Sequence, residues 1–82
     1  MDDKPLLDRI DQNPDVLEGK PVIRGTRLSV EFILKLLSSG ASEDDILVEY
    51  DGLVPEDIRA CLAFARRVVG ETSFVPRSRE SA

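Results

Sequence analysis

Residues 19–27 read Gly-Lys-Pro-Val-Ile-Arg-Gly-Thr-Arg, and this stretch decides the fold of the first third of the chain. Pro21 fixes its own φ angle and favours extended backbone at the residue before it. Val22 and Ile23 are β-branched and typical of strands, and Gly25 can adopt the positive φ of a hairpin corner. The stretch therefore predicts a short β-strand that ends in a tight turn.

The neighbouring residues extend this prediction to a small β-ribbon over residues 6–28. A first strand is expected near residues 6–10, closed by the turn sequence Asn13-Pro14-Asp15, and Arg27-Leu28 predicts a third short piece. Two or three short strands are only marginally stable alone. We therefore expect helices, or a second copy of the chain, to cover the apolar face of the ribbon.

The segment after the ribbon carries start and stop signals for two helices. Ser29 can cap the first helix, and Gly40 can supply its left-handed end. Ser42 and Asp45 have the spacing of a capping box, with aspartate in place of glutamate, at the start of the second helix. These signals predict a helix, a turn and a second, shorter helix.

Pro55 is suited to the first position of a third helix, and Gly70 is expected to end it. A short helix, a glycine turn and a longer helix match the layout of a helix-turn-helix. The predicted fold class is mainly α, with a short N-terminal β-ribbon followed by a three-helix bundle that contains this motif. The predicted organisation is a single domain over residues 1–70, with the ribbon at 6–28, the bundle at 29–70 and a flexible tail at 71–82.

The apolar stripe of the third helix is wider than one packing surface requires. The side expected to face the core comprises Ile58, Leu62, Ala65 and Val69. The residues that widen the stripe, and are candidates for a partner or dimer interface, are Cys61, Phe64 and Val68. Two interpretations stay open: the ribbon covers Phe64 and Val68 within one chain, or two third helices meet symmetrically.

Basic and hydroxyl side chains form two groups of candidate DNA-binding residues. They are Lys20, Arg24, Thr26 and Arg27 in the ribbon, and Arg59, Arg66 and Arg67 on the third helix. Residues 1–18 hold six carboxylates against two cations, so internal pairing of this acidic start with the ribbon explains the ribbon's charges equally well. The arginines of the helix also suit an ordinary solvated face.

Composition excludes several classes of protein. The chain has 82 residues, a formal net charge of −5, one cysteine and no histidine. Without histidine, and without a nucleophile–base pair or metal-ligand cluster in the sequence, we predict no enzyme, cofactor, metal site or small-molecule substrate. The lone cysteine, a start unlike a signal peptide and the lack of an apolar run of about 20 residues predict a cytoplasmic protein without membrane contact.

The run at residues 19–27 and the helix signals after it resemble domain-of-unknown-function family 433, over about residues 8–69. The matching positions are Gly19, Lys20, Pro21, Val22, Ile23, Gly25, Thr26, Arg27, Gly40, residues 43–47, Leu53 and residues 55–58. One position departs from the family pattern, because Val54 stands where relatives often have a threonine or serine that caps the third helix. That departure predicts a start of the third helix that is frayed or buried.

The resemblance implies a homeodomain-like or winged-helix-like fold and the role of an antitoxin in a VapBC-type toxin–antitoxin module. The implied partner is a PIN-like ribonuclease toxin, and the implied regulatory target is the protein's own promoter DNA, bound as a homodimer or complex. Tail residues that could fold onto such a partner are Phe74, Val75, Arg77 and Arg79. The alternative function is a homodimeric protein-interaction module that binds no DNA.

Overall fold

The computed structural model describes residues 3–71 and shows a mainly helical chain with one two-stranded antiparallel sheet. In chain order the elements are α1 (Lys4–Leu7), β1 (Ile10–Gln12), a 3-10 turn (Leu17–Gly19), β2 (Pro21–Ile23), α2 (Val30–Ser38), α3 (Glu43–Glu49) and α4 (Pro55–Glu71). The prediction of a mainly α fold with a short N-terminal β-ribbon is confirmed.

The prediction of a strand near residues 6–10 is wrong. Lys4–Leu7 instead forms a single helical turn. Pro5 lies at the start of this turn, where its fixed φ suits a helix and its missing N–H breaks no hydrogen bond. The first strand therefore begins only at Ile10.

The two strands pair in an antiparallel register that places Ile10 opposite Ile23. The third short piece expected at Arg27-Leu28 is reduced to one bridge, between Val22 and Ser29. Both β2 residues with β-branched side chains, Val22 and Ile23, are buried. The ribbon thus contributes directly to the core.

The predicted signals for α2 and α3 are confirmed. The Ser29 hydroxyl accepts a hydrogen bond of 2.9 Å from the Phe32 amide, and Gly40 follows α2 with a φ of +105°. The Asp45 amide donates to the Ser42 hydroxyl, and the Ser42 amide donates to the Asp45 carboxylate, both at 3.0 Å. This capping box satisfies two backbone N–H groups at the start of α3.

The prediction that Gly70 ends α4 is wrong. Gly70 keeps a helical conformation, unlike Gly40, and α4 continues to Glu71. A glycine inside a helix is tolerated when no turn is required there. Glu71 is therefore part of α4 rather than of the predicted tail.

The buried side of α4 also differs from the prediction. Ile58 faces the core as expected, but its neighbours there are Ala60 and Cys61, which are both fully buried. Leu62 and Val69, expected to face inward, are 49% and 71% exposed. Since α1, α2, α3 and β1 all pack against α4, small side chains on the contact side allow a closer approach than leucine would.

The core joins the ribbon to all three of the longer helices. Its buried members are Ile23, Val30, Ile33, Ile46, Leu53, Ile58 and Cys61. Across residues 3–71, no helix combines the length and the apolar character that a membrane crossing requires. The core therefore fixes three surfaces relative to one another: the ribbon, α3, and the C-terminal half of α4.

Candidate functional site

The ribbon cations proposed for DNA binding are mostly paired within the chain. Lys20 lies 3.1 Å from a Glu31 carboxylate oxygen, and Arg24 lies 3.0 Å from an Asp11 carboxylate oxygen. The Asp11–Arg24 pair links the acidic start of the chain to the ribbon, which is the internal pairing that the charge pattern left open. These two cations therefore present little uncompensated positive charge.

Thr26 has a structural role in the turn that follows β2. Its hydroxyl donates to the Ile23 carbonyl at 2.7 Å and accepts from the Leu28 amide at 3.0 Å. Gly25, at the corner of this turn, has a φ of +80°, as predicted. Because both functions of the hydroxyl are used inside the chain, Thr26 is poorly placed to bind a phosphate.

Two of the three α4 arginines are likewise paired. Arg66 forms an ion pair with Asp3, and Arg67 lies 3.6 Å from Glu71, one helical turn further on. Among the described residues, neither Arg27 nor Arg59 lies in an ion pair, and both are exposed. Of the cations predicted to bind DNA, only Arg27 and Arg59 therefore lack an ion-pair partner within residues 3–71.

The start of α4 is held by a buried carboxylate that sequence reasoning did not assign to this role. Asp57 is 7% exposed, and its side chain accepts hydrogen bonds of 3.1 Å from both Arg9 and the Val54 amide. Asp57 thus satisfies the amide of Val54 but does not replace the missing hydroxyl cap, which would accept from an amide inside the helix. The predicted burial holds at Asp57 and not at Val54, which is 40% exposed. The signal in the sequence was an acidic residue three positions after Val54.

Cys61 is part of the core, so the prediction that it contributes to an interface is wrong. The side chain is fully buried. Burial, with a smaller contribution from the charge of Asp57, raises the pKa of the Cys61 thiol to about 12. Since the thiolate is the reactive form, this cysteine is neither a nucleophile nor a metal ligand at neutral pH. Residues 3–71 contain no cluster of side chains suited to hold a metal ion.

Phe64 and Val68, the other two interface candidates, do reach the surface. They line a shallow groove between α2, α4 and the start of β2, here called the apolar groove. Its apolar members are Pro21, Val30, Leu34, Phe64, Ala65, Val68 and Val69. Within the described residues, the atoms of this groove that are exposed to solvent are apolar.

A second exposed surface lies on α3 and the turn after it, and it is here called the acidic surface. Its carboxylates, none of them in an ion pair within residues 3–71, belong to Glu43, Asp44, Asp45, Glu49 and Asp51. Two hydrogen bonds from Ser42 hold the pKa of the Asp45 carboxyl below its ordinary value. The bond from the Ser42 amide has the larger effect, and the bond from its hydroxyl has the smaller one. Val48, 81% exposed, lies one helical turn from Asp44 on the same helix.

The predicted tail contacts lie outside the described residues. They are Phe74, Val75, Arg77 and Arg79.

These elements define a class of protein: a small, mainly helical domain in which a two-stranded ribbon packs beside a long C-terminal helix. The model of the family described as "Protein of unknown function (DUF433)" matches residues 10–65, more than half of the chain. The chain belongs to the DUF433 family, and the resemblance inferred from residues 19–27 is confirmed.

The fold is also similar to that of a known crystal structure, a DUF433 member protein from Anabaena variabilis ATCC 29413. The two chains are 28% identical, with a TM-score of 0.73, over 83% of this chain and 67% of that chain. No curated protein matches the chain significantly. Any functional conclusion therefore depends on the surfaces described above.

Proposed function

We propose that this protein is the antitoxin of a toxin–antitoxin module and neutralises a PIN-like ribonuclease by covering that enzyme's basic, RNA-binding surface. The observation that carries the proposal is the acidic surface on α3. Its five carboxylates lack cationic partners within residues 3–71, whereas Asp3, Asp11 and Glu31 are engaged in ion pairs elsewhere in the chain. Of the eight carboxylates without an ion pair in residues 3–71, five thus lie on α3 and the turn after it, and the other three are Asp15, Glu18 and Glu56.

Electrostatics favours this kind of partner. A protein that binds RNA needs lysine and arginine side chains against the phosphates, so its active cleft carries positive potential. A formal net charge of −5 accelerates the approach of such a surface, and the unpaired carboxylates of α3 then fix the orientation. The same negative charge disfavours RNA or DNA as the direct ligand of α3.

The acidic surface also includes an exposed apolar side chain. Val48 is 81% exposed, while Ile46 on the same helix is buried in the core, so α3 is anchored on one side and open on the other. Protein interfaces commonly place apolar contacts at the centre and charged groups at the rim. Val48, one helical turn after Asp44 and next to Glu49, offers both kinds of contact on α3.

The experiment starts with the tagged full chain, captured from its native cells, and identification of any protein recovered in stoichiometric amount. The recovered partner is then assayed for RNA cleavage with and without the purified full chain. We expect a ribonuclease whose cleavage is inhibited. Recovery of the bait alone, or of a partner without ribonuclease activity, would contradict the antitoxin function.

Reversing charge at the end of α3 tests the site itself. We expect the double substitution Glu49→Lys and Asp51→Lys to weaken partner binding by about tenfold or more, because two carboxylates are replaced by cations facing a basic surface. The fold is expected to tolerate the change, since lysine near a helix C-terminus interacts favourably with the helix dipole. Isothermal titration calorimetry against the purified partner measures the effect.

The matched control for this measurement changes the net charge equally but elsewhere. Asp15→Lys with Glu18→Lys alters two exposed carboxylates on the loop between β1 and β2. Binding within about threefold of wild type is expected for this control, since only long-range attraction changes. Equal weakening by both double variants would show that net charge, rather than α3, governs binding.

A second candidate function, repression of the protein's own promoter, is supported by Arg27 and Arg59. Both cations are exposed and lack a carboxylate partner in the described residues. Arg59 lies near the start of α4, which follows α3 after a short turn, and this order of elements suits the predicted helix-turn-helix. In this reading Arg27 and Arg59 contact phosphates, and the paired cations contribute little.

Fluorescence anisotropy with DNA from upstream of the protein's own reading frame tests this second function. We expect Arg27→Ala with Arg59→Ala to weaken binding and to reduce the slope of log K against log salt by about two, one for each lost phosphate contact. Arg24→Ala is the control, because Asp11 already balances that charge. Absence of binding at low salt, with and without the partner, would eliminate this function and leave a protein-interaction module.

A further inference from the structure

We infer that the start of the chain makes an autoinhibitory contact, in which the carboxylate of Asp3 occupies Arg66 on α4 and keeps that arginine from binding a DNA phosphate. The inference rests on the second proposed function, repression of the protein's own promoter, and adds to it a means of regulation within the chain. It does not involve the acidic surface on α3, so the antitoxin function is independent of it.

Arg66 extends the cationic surface that Arg59 begins on α4. The two arginines are seven residues apart, so they lie on nearly the same side of the helix and about 10 Å apart along its axis. Both are exposed. Arg59 has no carboxylate partner in residues 3–71, whereas Arg66 pairs with Asp3. The ion pair therefore removes one of the two charges of this surface.

Asp3 is placed to compete with a phosphate for Arg66. Its side chain is only 14% exposed, whereas the side chain of Arg66 is 71% exposed. The carbonyl of Asp3 accepts a hydrogen bond of 2.8 Å from the Leu7 amide, so α1 holds the residue in place. Carboxylate and phosphate oxygens bind a guanidinium through the same charge-assisted hydrogen bonds. The two groups are therefore alternative ligands for the edge of Arg66 that Asp3 occupies.

The turn that carries Asp3 can leave α4 without opening the core. α1 packs against α4, yet none of its residues is buried, unlike those of the other three helices. Firm attachment begins at Arg9, whose side chain donates to the buried Asp57 and whose carbonyl accepts from the Arg24 amide at 2.8 Å. Residues 3–8 can therefore swing away about Arg9 and release Arg66.

The partners of the two other paired arginines lack this freedom. Asp11, which pairs with Arg24, lies within β1 and is held there by pairing with β2. Glu71, which pairs with Arg67, lies on the same helix as its partner, so no movement of another element separates them. Among the three arginine partners in residues 3–71 that these ion pairs involve, only Asp3 lies on a separate element that can move.

Fluorescence anisotropy of the full chain with its upstream DNA, over a series of salt concentrations, tests the inference. We expect Asp3→Asn to tighten binding about threefold or more at low salt and to increase the slope of log K against log salt by about one, because Arg66 gains a phosphate contact. Asp15→Asn is the matched control, since it makes the same change of charge at an exposed residue between β1 and β2. Its slope is expected to equal that of wild type.

A double-mutant cycle tests whether the effect passes through Arg66. In an Arg66→Ala background, Asp3→Asn and Asp15→Asn are expected to change DNA binding equally, because the arginine that Asp3 occupies is gone. Circular dichroism of each variant verifies that the helices are retained.

Three results would overturn the inference. Equal slopes for Asp3→Asn and Asp15→Asn, with DNA bound by wild type, would mean that Arg66 meets no phosphate, and would leave the promoter function in place. An Asp3→Asn effect that persists in the Arg66→Ala background would make general repulsion of DNA the cause. Absence of DNA binding by both wild type and Asp3→Asn at low salt would remove the inference and the promoter function together.

Discussion

Replacing Asp57 with alanine is expected to lower the free energy of unfolding by about 2–3 kcal/mol, because a buried network of hydrogen bonds loses its acceptor. The Asp57 carboxylate accepts from the Val54 amide and from Arg9, both at 3.1 Å. Its removal leaves the Val54 amide without its side-chain acceptor at the start of α4. Arg9 remains 42% exposed and can regain water, which keeps the loss below that of a wholly buried ion pair. Urea denaturation measures the change.

Two further variants separate the parts of the Asp57 network. Glu56→Ala removes the neighbouring carboxylate, which is exposed, and is expected to change the free energy of unfolding by no more than about 0.5 kcal/mol. Asp57→Asn keeps an acceptor for the Val54 amide but loses the charge that attracts Arg9. Its free energy of unfolding is therefore expected to lie between those of Glu56→Ala and Asp57→Ala. If Asp57→Ala were as mild as Glu56→Ala, the network would not stabilise the fold.

Asp57 also marks the limit of what the sequence could predict. Signals that act over three residues were recognised at Ser29 and at the capping box of Ser42 with Asp45, because both partners lie within one helical turn. The hydrogen bond of the same range between the Val54 amide and Asp57 was missed. The contact of Asp57 with Arg9 spans 48 positions, and nothing local indicates it. Long-range pairing depends on the folded arrangement, which the charge pattern alone does not determine.

The same distinction explains the outcome for the candidate DNA-binding residues. The sequence could predict that Arg24, Arg66 and Arg67 are exposed cations. It could not predict which carboxylates pair with them. Arg66 meets Asp3, which lies 63 positions earlier in the chain. The charge asymmetry indicated internal pairing as one of two interpretations, and the structure shows such pairing at Asp11 and Arg24.

Orientation of α4 could not be derived from periodicity alone. Apolar residues cover so much of its circumference that several orientations bury a similar number of them. The structure resolves this by placing Ala60 and Cys61 against the core and leaving Leu62 and Val69 in water, because close packing of several elements favours small side chains. Val48, 81% exposed on α3, was not among the predicted interface candidates.

Native Cys61 is expected to react with thiol reagents about a thousandfold or more slowly than an exposed cysteine, since labelling requires the chain to unfold and stabilities of 5 kcal/mol or more are usual. The side chain is fully buried, and the raised pKa keeps it protonated. The reference is a Val48→Cys variant in a Cys61→Ala background, in which the same thiol lies on exposed surface. Comparable labelling rates for the two proteins would show that the region around Cys61 opens readily.

The raised thiol pKa also makes stability depend on pH in a defined direction. The pKa of Cys61 rises from 9.0 to about 12 on folding, so between these values the unfolded chain loses the thiol proton while the folded chain keeps it. The folded state then binds more protons, and the free energy of unfolding falls as pH increases, by at most about 1.4 kcal/mol per pH unit from this group. Below the unfolded pKa the contribution is fully present. Urea denaturation of wild type and Cys61→Ala at about pH 8 and about pH 10.5 isolates it, because lysine and tyrosine titrate in both proteins and only wild type has the thiol. A wild-type chain that loses no more stability than Cys61→Ala over this interval would mean that the folded thiol ionises as it does in the unfolded chain.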